Sequence, residues 1–269
     1  CFIVEPMVQG AAGMWIQPPQ YLAELADLCK RFDVVLIVDE VATGFGKTGK
    51  MFAFEHAEIT PDILVLGKGL SGGYLPIAAT VATDKIFNAF SGSQTDLKTF
   101  SFGTTYCGNP LTCSAAIANL RLFRERNILA SSNIRIEEFA KLLAKYVEPL
   151  RNVYQVRRLG VMTAIELTSS PGEFVPYKPE SLVGTRISEV AKKNGVIIRP
   201  LGNCIIIMPA ITMGSADLSK LVMQTAAAIE EVLDESWWKR LSNSIVKIFS
   251  PAKKANTRVG LPGPELFMD

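Results

Sequence analysis

The sequence predicts an α/β fold, a mostly parallel sheet covered by helices, followed by a smaller α+β C-terminal domain. Three observations carry this prediction. Short continuous apolar runs at 2–4, 34–38, 63–66 and 77–82 lack the alternation of a half-exposed strand and read as strands covered on both faces. Helical patterns or long loops separate these runs, as parallel crossovers require. Beyond about residue 124 the order changes to helix, strand, Pro/Gly-rich loop, helix, two strands and helix, the pattern of a compact second unit.

The elements follow in chain order. Cys1-Phe-Ile-Val opens inside a strand pattern, so an N-terminal part is expected to be missing, and targeting cannot be read. After a loop containing Gly10 and Gly13, Pro18 and Pro19 open a helix. Its Leu22, Leu25, Ala26 and Cys29 keep the i, i+3, i+4, i+7 spacing of one buried face. A long helix starts at Asn109-Pro110 and runs to about Arg126, with Leu111, Ala115, Ala118 and Leu122 on one side. A second amphipathic helix (Ile136, Phe139, Leu143, Val147) leads to a strand at 161–167 and a loop at 169–179. A helix at 184–194, strands near 196–199 and 204–208, and a helix from 215 to about 234 complete the unit. The expected boundaries are 1–124 for the end of a large domain, 125–235 for a small domain and 236–269 for a tail. In that tail Trp238, Leu241, Ile245 and Ile248 form a stripe that reads as a helix packing on its own domain, ahead of a disordered Pro/Gly-rich end. A surface-binding amphipathic helix is the rival reading.

Composition narrows the chemistry. The 269 residues are 48% hydrophobic and 20% charged, as in a folded chain rather than a disordered one. A net charge of +2 gives no bulk attraction for nucleic acid. One histidine, His56, excludes multi-His metal sites, so no metal is expected. Five scattered cysteines without a CxxC pair argue against a disulfide framework and fit a reducing, cytoplasmic compartment. No apolar run reaches the roughly 18 residues of a membrane span.

Gly44-Phe-Gly-Lys-Thr-Gly-Lys-Met51 imitates two phosphate-binding patterns and fits neither. Met51 stands where the P-loop needs a hydroxyl for Mg²⁺, and Asp39 and Glu40 intervene between strand and glycines, opposing an anion. A flexible loop beside another site is the expectation. The residues suited to chemistry flank it. Asp39 ends the run 34–38, where open α/β sheets place ligands. Lys68 follows the run 63–66, flanked by Gly67 and Gly69, in a setting where lysine is unusual. Such an amine suits a Schiff base with a carbonyl, and flanking glycines allow close approach of a planar ligand. A pyridoxal phosphate site needs this amine, together with a carboxylate at the pyridine nitrogen. The bland alternatives are a solvated strand-end Asp39 and a snorkelling Lys68.

Val38-Asp-Glu-Val-Ala-Thr-Gly-Phe-Gly46 and Leu66-Gly-Lys-Gly-Leu-Ser-Gly-Gly73 resemble the class III aminotransferases of PLP-dependent transferase fold type I. Lys68 follows Asp39 by 29 residues (68 − 39), the interval of that family. Val4-Glu-Pro-Met-Val-Gln-Gly-Ala-Ala-Gly-Met14 and Gly108-Asn-Pro-Leu111 are similar to two further landmarks, and the resemblance covers residues 1 to about 234. It implies transamination with pyridoxal 5'-phosphate, a small-molecule amine donor, a keto-acid acceptor and a homodimer with shared active sites. It implies that Lys68 and Asp39 are catalytic and hold the cofactor, and that Val41 packs on the ring. Thr104 and Thr105 would donate to the phosphate from the neighbouring subunit, and Gly103 would line the substrate pocket. Ala42, where many relatives carry glutamine, and Ile197-Ile-Arg-Pro-Leu-Gly-Asn203 before Met208-Pro209 resemble a branch that works in biotin biosynthesis with S-adenosylmethionine as donor. There Arg199 would hold the acceptor's carboxylate bidentately. Activity on an ω-amino acid or diamine, and a non-catalytic truncated paralogue, are the alternatives. Two departures stand out. Lys47 replaces the family's arginine and loses its fork, and Ser101-Phe-Gly-Thr-Thr-Tyr106 replaces a commoner His-Gly segment.

Overall fold

A computed structural model of the chain describes residues 1–98 and 100–233. Its strands and α-helices are, in chain order, β1 (Phe2–Val4), β2 (Val8–Gln9), β3 (Trp15–Ile16), α1 (Pro19–Arg31), β4 (Leu36–Asp39), β5 (Ile63–Leu66), β6 (Ala79–Ala82) and α2 (Asp84–Ala89). Then come α3 (Pro110–Glu125), α4 (Ile128–Tyr146), β7 (Val153–Leu159), β8 (Met162–Leu167), α5 (Val183–Lys193), β9 (Arg199–Leu201), β10 (Cys204–Ile207) and α6 (Ser215–Leu233). Residues 1–233 form one compact unit. The tail expected at 236–269 lies outside the described residues. Among the described residues no helix is long and apolar enough to cross a membrane.

The first sheet has the order β1-β4-β5-β6, parallel except for the antiparallel edge strand β6. Its register pairs Val4 with Val38 and Asp39 with Val65. Leu36 and Val38 are buried, but Ile3 on β1 is 62% exposed and Val81 on β6 is 52% exposed, so the expected two-sided cover holds only at the centre. The second sheet, β7-β8-β10-β9, is antiparallel throughout. One face of it packs with α4, α5 and α6 around Phe139, Leu143, Ile165, Ile187, Ile205 and Ile229. The other face sends Met162, Ala164 and Ile206 into a cluster with Val4, Leu36 and Val38 of the first sheet. Period-2 alternation along β8 and β10 thus serves two cores.

Several boundaries differ from expectation, for local reasons. The strand expected from residue 34 begins at Leu36, because Val34 donates its amide to Cys29 O and completes the end of α1. The strand expected at 196–199 is displaced to Arg199–Leu201, since Val196 donates to Ala191 O and finishes the end of α5. Pro200 is tolerated because β9 is an edge strand. The strand β7 escapes the hydrophobic pattern altogether. Its half-buried Gln155 and Arg157 are polar and bond to Glu166 on β8.

The segment 44–50 forms turns, and only the short 3₁₀ turn Ala53–His56 follows it. No helix N-terminus is presented to a phosphate there. Instead the segment docks on the second sheet, with Val161 donating to Lys47 O at 2.9 Å. The tight β7–β8 turn at Gly160, with φ +61°, permits this approach.

Candidate active site

Three parallel strands deliver three charged side chains to one end of the first sheet. Glu5 follows β1, Asp39 ends β4 and Lys68 lies two residues beyond β5. The Asp39–Val65 pairing puts Asp39 and Lys68 at adjacent strand ends, where an open α/β sheet presents ligand-binding groups. Asp39 Oδ1 accepts the Val41 amide at 2.9 Å, a local turn that swings the chain away from the sheet. Glu40 extends the ladder by donating its amide to Val65 O at 2.9 Å. Its side chain is fully buried and accepts from the Thr43 hydroxyl at 2.6 Å and the Phe54 amide at 2.8 Å. Burial pushes the Glu40 carboxyl above its ordinary range, and these donors oppose the shift.

Lys68 has φ +38°, a left-handed conformation that costs a non-glycine residue about 1 kcal/mol or more. It opens the 3₁₀ turn Lys68–Ser71, which Gly72 caps. Asn119, from α3, holds this turn with Nδ2 bonds to Gly69 O at 2.9 Å and Leu70 O at 3.1 Å. The flanking glycines make room for protein rather than for solvent. A Cβ on Gly67 would lie 3.4 Å from Val41 Cγ1, and one on Gly69 would lie 2.8 Å from the Phe45 ring. Val41 is thereby seated beside Lys68.

A cavity of about 580 Å³ opens at this end. Glu5, Lys68 and Ala42 border it, together with Gly10, Ala11 and Met14 of the loop between β2 and β3 and Arg199 and Leu201 of β9. Met162, Ile206, Met208 and Pro209 add apolar surface. The fold therefore brings Arg199 of the second sheet to the cavity that holds Lys68. Burial raises the Glu5 carboxyl above its ordinary range. The Gly10 amide and the Lys68 ammonium pull it back, and the Asp39 charge pushes it further up. Glu5 is the functional candidate that the sequence reading passed over, although its strand-end position follows the same rule as that of Asp39. Lys47 is half-buried with Nζ 3.5 Å from Pro209 O, and burial lowers its pKa.

Gly103, Thr104 and Thr105 lie elsewhere. They sit on an exposed loop and do not border this cavity. The Thr104 amide donates to Cys107 Sγ at 3.3 Å, and the Thr104 hydroxyl is also 3.3 Å from that sulfur.

Residues 1–229 match the family described as Aminotransferase class-III. The chain is 46% identical over 243 residues to adenosylmethionine-8-amino-7-oxononanoate aminotransferase of Nitratidesulfovibrio vulgaris, covering 88% of this chain and 45% of that one. The crystal structure of the enzyme of that name from Methanocaldococcus jannaschii superposes with a TM-score of 0.82 at 42% identity, covering 86% of this chain and 53% of that chain. An amine transaminase from an uncultivated Pseudomonas species, solved in its PLP-bound form, aligns with a TM-score of 0.78 at 34% identity, covering 86% and 52% of the two chains. The chain spans about half the length of the curated relatives it matches. With a lysine, an acid and an arginine gathered at the strand ends of such a fold, the chain belongs to the class-III aminotransferase family.

Proposed function

We propose that this chain carries the lysine-bearing part of a pyridoxal-5'-phosphate-dependent transaminase. The reaction is amination of 8-amino-7-oxononanoate to 7,8-diaminononanoate in biotin biosynthesis, with S-adenosylmethionine as donor. One observation carries the reading: Lys68 and Arg199 border the same cavity, with Asp39 at the strand end next to Lys68. The residues fit the cofactor, since an amine at the cavity, a carboxylate ending the adjacent strand and an apolar side chain at Val41, packed beside Gly67, come to one end of the sheet.

Lys68 Nζ would hold the cofactor's carbonyl carbon, Asp39 its ring nitrogen and Val41 one face of its ring. Thr104 and Thr105 would hold its phosphate across a homodimer interface, which accounts for their distance from the cavity, and Gly103 would line the partner's pocket. When bound, the cofactor supplies an electron sink for the pair left by a broken C–H bond. Asp39 would hold a proton on the ring nitrogen through its charge. The Lys68 amine would serve as the general base for the proton on the donor's α-carbon and then as the general acid that returns it. Arg199 grips the far carboxylate of the acceptor with a charge-fixed fork, which orients the keto carbon toward Lys68. The apolar wall of Met14, Met162 and Ile206 suits the acceptor's methylene chain. The scattered free cysteines support a cytoplasmic enzyme.

Borohydride reduction of the cofactor-loaded protein, then digestion and mass spectrometry, tests the reading. A pyridoxyl adduct on the Lys68 peptide, absent in Lys68→Ala, is expected. Faster turnover of 4-aminobutyrate or ornithine than of 8-amino-7-oxononanoate would move the substrate to the rival class, and no adduct would remove the enzymatic reading.

A further inference from the structure

Arg157 sits in the middle of β7 with only 10% of its side chain exposed, facing Glu166, which is equally buried. Its Nη1 donates to Glu166 Oε2 at 2.6 Å, and Gln155 donates to the same oxygen. A buried ion pair of this kind stabilises weakly, and two apolar side chains of similar size would serve the sheet as well. The remaining contacts of the guanidinium leave β7 and β8. Nη2 donates to Gly13 O at 2.9 Å and to Cys204 Sγ at 3.4 Å. The guanidinium carbon lies 4.4 Å from the centre of the Trp15 ring, a cation–π contact. Nε is buried without a hydrogen-bond partner among the described residues.

Those two ties end on segments that border the Lys68 cavity, and Arg157, Gly13 and Cys204 themselves line an adjoining pocket that shares Ala11 and Leu201 with it. Gly13 belongs to the loop whose Gly10, Ala11 and Met14 border the cavity, and its φ of +114° keeps the carbonyl turned toward a partner without a Cβ penalty. Cys204 begins β10 and pairs with Leu201, which together with Arg199 also borders the cavity. On its cavity side the same loop bonds Glu5 through the Gly10 amide. One guanidinium nitrogen thus ties the loop that carries Gly10 to β10, whose partner strand β9 carries Arg199.

We infer that Arg157 is a positioning residue for the acceptor: by tying Gly13 to Cys204 it sets the spacing between the 10–14 loop and the β9–β10 pair, both of which border the cavity, and so the length of carboxylate-ended chain that Arg199 can grip while the reacting carbon reaches Lys68. The inference rests on the proposed amination and adds the residue that selects acceptor length. Lysine cannot replace the fork, because one ammonium cannot hold Glu166, Gly13 and Cys204 in a plane.

Calorimetric titration of the cofactor-loaded protein with two unreactive probes, nonanoate and pentanoate, tests it without turnover. The wild type is expected to favour nonanoate. In Arg157→Lys nonanoate binding should weaken about tenfold, the worth of a charged hydrogen bond, and the preference over pentanoate should fall to within about twofold. Arg199→Gln should weaken both probes alike. The double variant Arg157→Met/Glu166→Met removes both charges together, so no uncompensated ion threatens folding, and it should lose the preference in the same way. An unchanged nonanoate-to-pentanoate ratio in both Arg157 variants would overturn the inference, provided Trp15 emission, isolated by difference against Trp15→Phe, shows the tie broken. Absence of nonanoate binding in the wild type would overturn it too. Failure of the amination reading registers separately, as a wild type that binds nonanoate yet forms no 7,8-diaminononanoate.

Discussion

Replacing Gly160 with alanine isolates the contact that joins the 44–50 segment to the second sheet. Gly160 has φ +61°, and a Cβ there would stand 2.1 Å from Lys47 O and 2.6 Å from Thr48 Cα, both backbone atoms. Neither can rotate aside, so the two segments must separate. Gly202 supplies the control, with φ +58° and no atom within 4 Å of its added Cβ. Both alanines pay about 1–2 kcal/mol for the left-handed conformation, and both lose unfolded-chain entropy equally, so these contributions cancel in the comparison. Gly160→Ala additionally loses the Val161–Lys47 hydrogen bond, worth about 1 kcal/mol, and disturbs the close packing beside it for about 1–3 kcal/mol. The difference is therefore about 2–4 kcal/mol. At roughly 2–4 °C per kcal/mol for a unit of this size, Gly160→Ala should melt about 5–15 °C below Gly202→Ala. Differential scanning calorimetry of the two variants decides it, and equal melting temperatures would refute the docking of the segment on the β7–β8 turn.

Asn119→Ala should cost about 2 kcal/mol, because the Leu70 carbonyl loses its Asn119 donor and the Gly69 carbonyl keeps only the Gly72 amide; it should also lower the yield of borohydride-trapped Lys68, read by mass spectrometry. Burial raises Glu40 above its ordinary 4.5, so its protonated form contributes stability fully below pH 4.5, and that contribution is lost as pH rises through the folded value. The stability difference between wild type and Glu40→Gln should accordingly fall as pH rises from about 4.5 and then level off, and urea unfolding at a series of pH values measures it. Glu166→Leu leaves Arg157 buried and unpaired and should cost about 3–5 kcal/mol by denaturant unfolding, whereas Arg157→Met/Glu166→Leu should recover more than half of that loss.

The central strands β4 and β5 and the helices α1, α3 and α6 were legible in the residues, because each carries an uninterrupted apolar run or a clean helical period with proline or serine at its start. Their ends were less legible. Val34 and Val196 look like strand residues, yet both are consumed by the hydrogen bonds that close the preceding helix. The strand β7 was invisible because its inward positions are Gln155 and Arg157, so the apolar alternation that marks a strand is absent. The glycines around Lys68 read as room for a ligand, whereas Val41 and Phe45 press against them.

Sequence alone determined that an acid and an amine stand at the ends of two apolar strands, 29 residues apart (68 − 39), because both the strands and the interval are local properties of the chain. Tertiary structure decided what faces them. Glu5 comes to Asp39 and Lys68 through the parallel pairing of β1 with β4, and Arg199 comes to the cavity on β9 of the second sheet. Contacts between residues so far apart leave no periodicity to read. They arise when two sheets share one apolar cluster, and only the folded chain shows which polar groups that packing brings together.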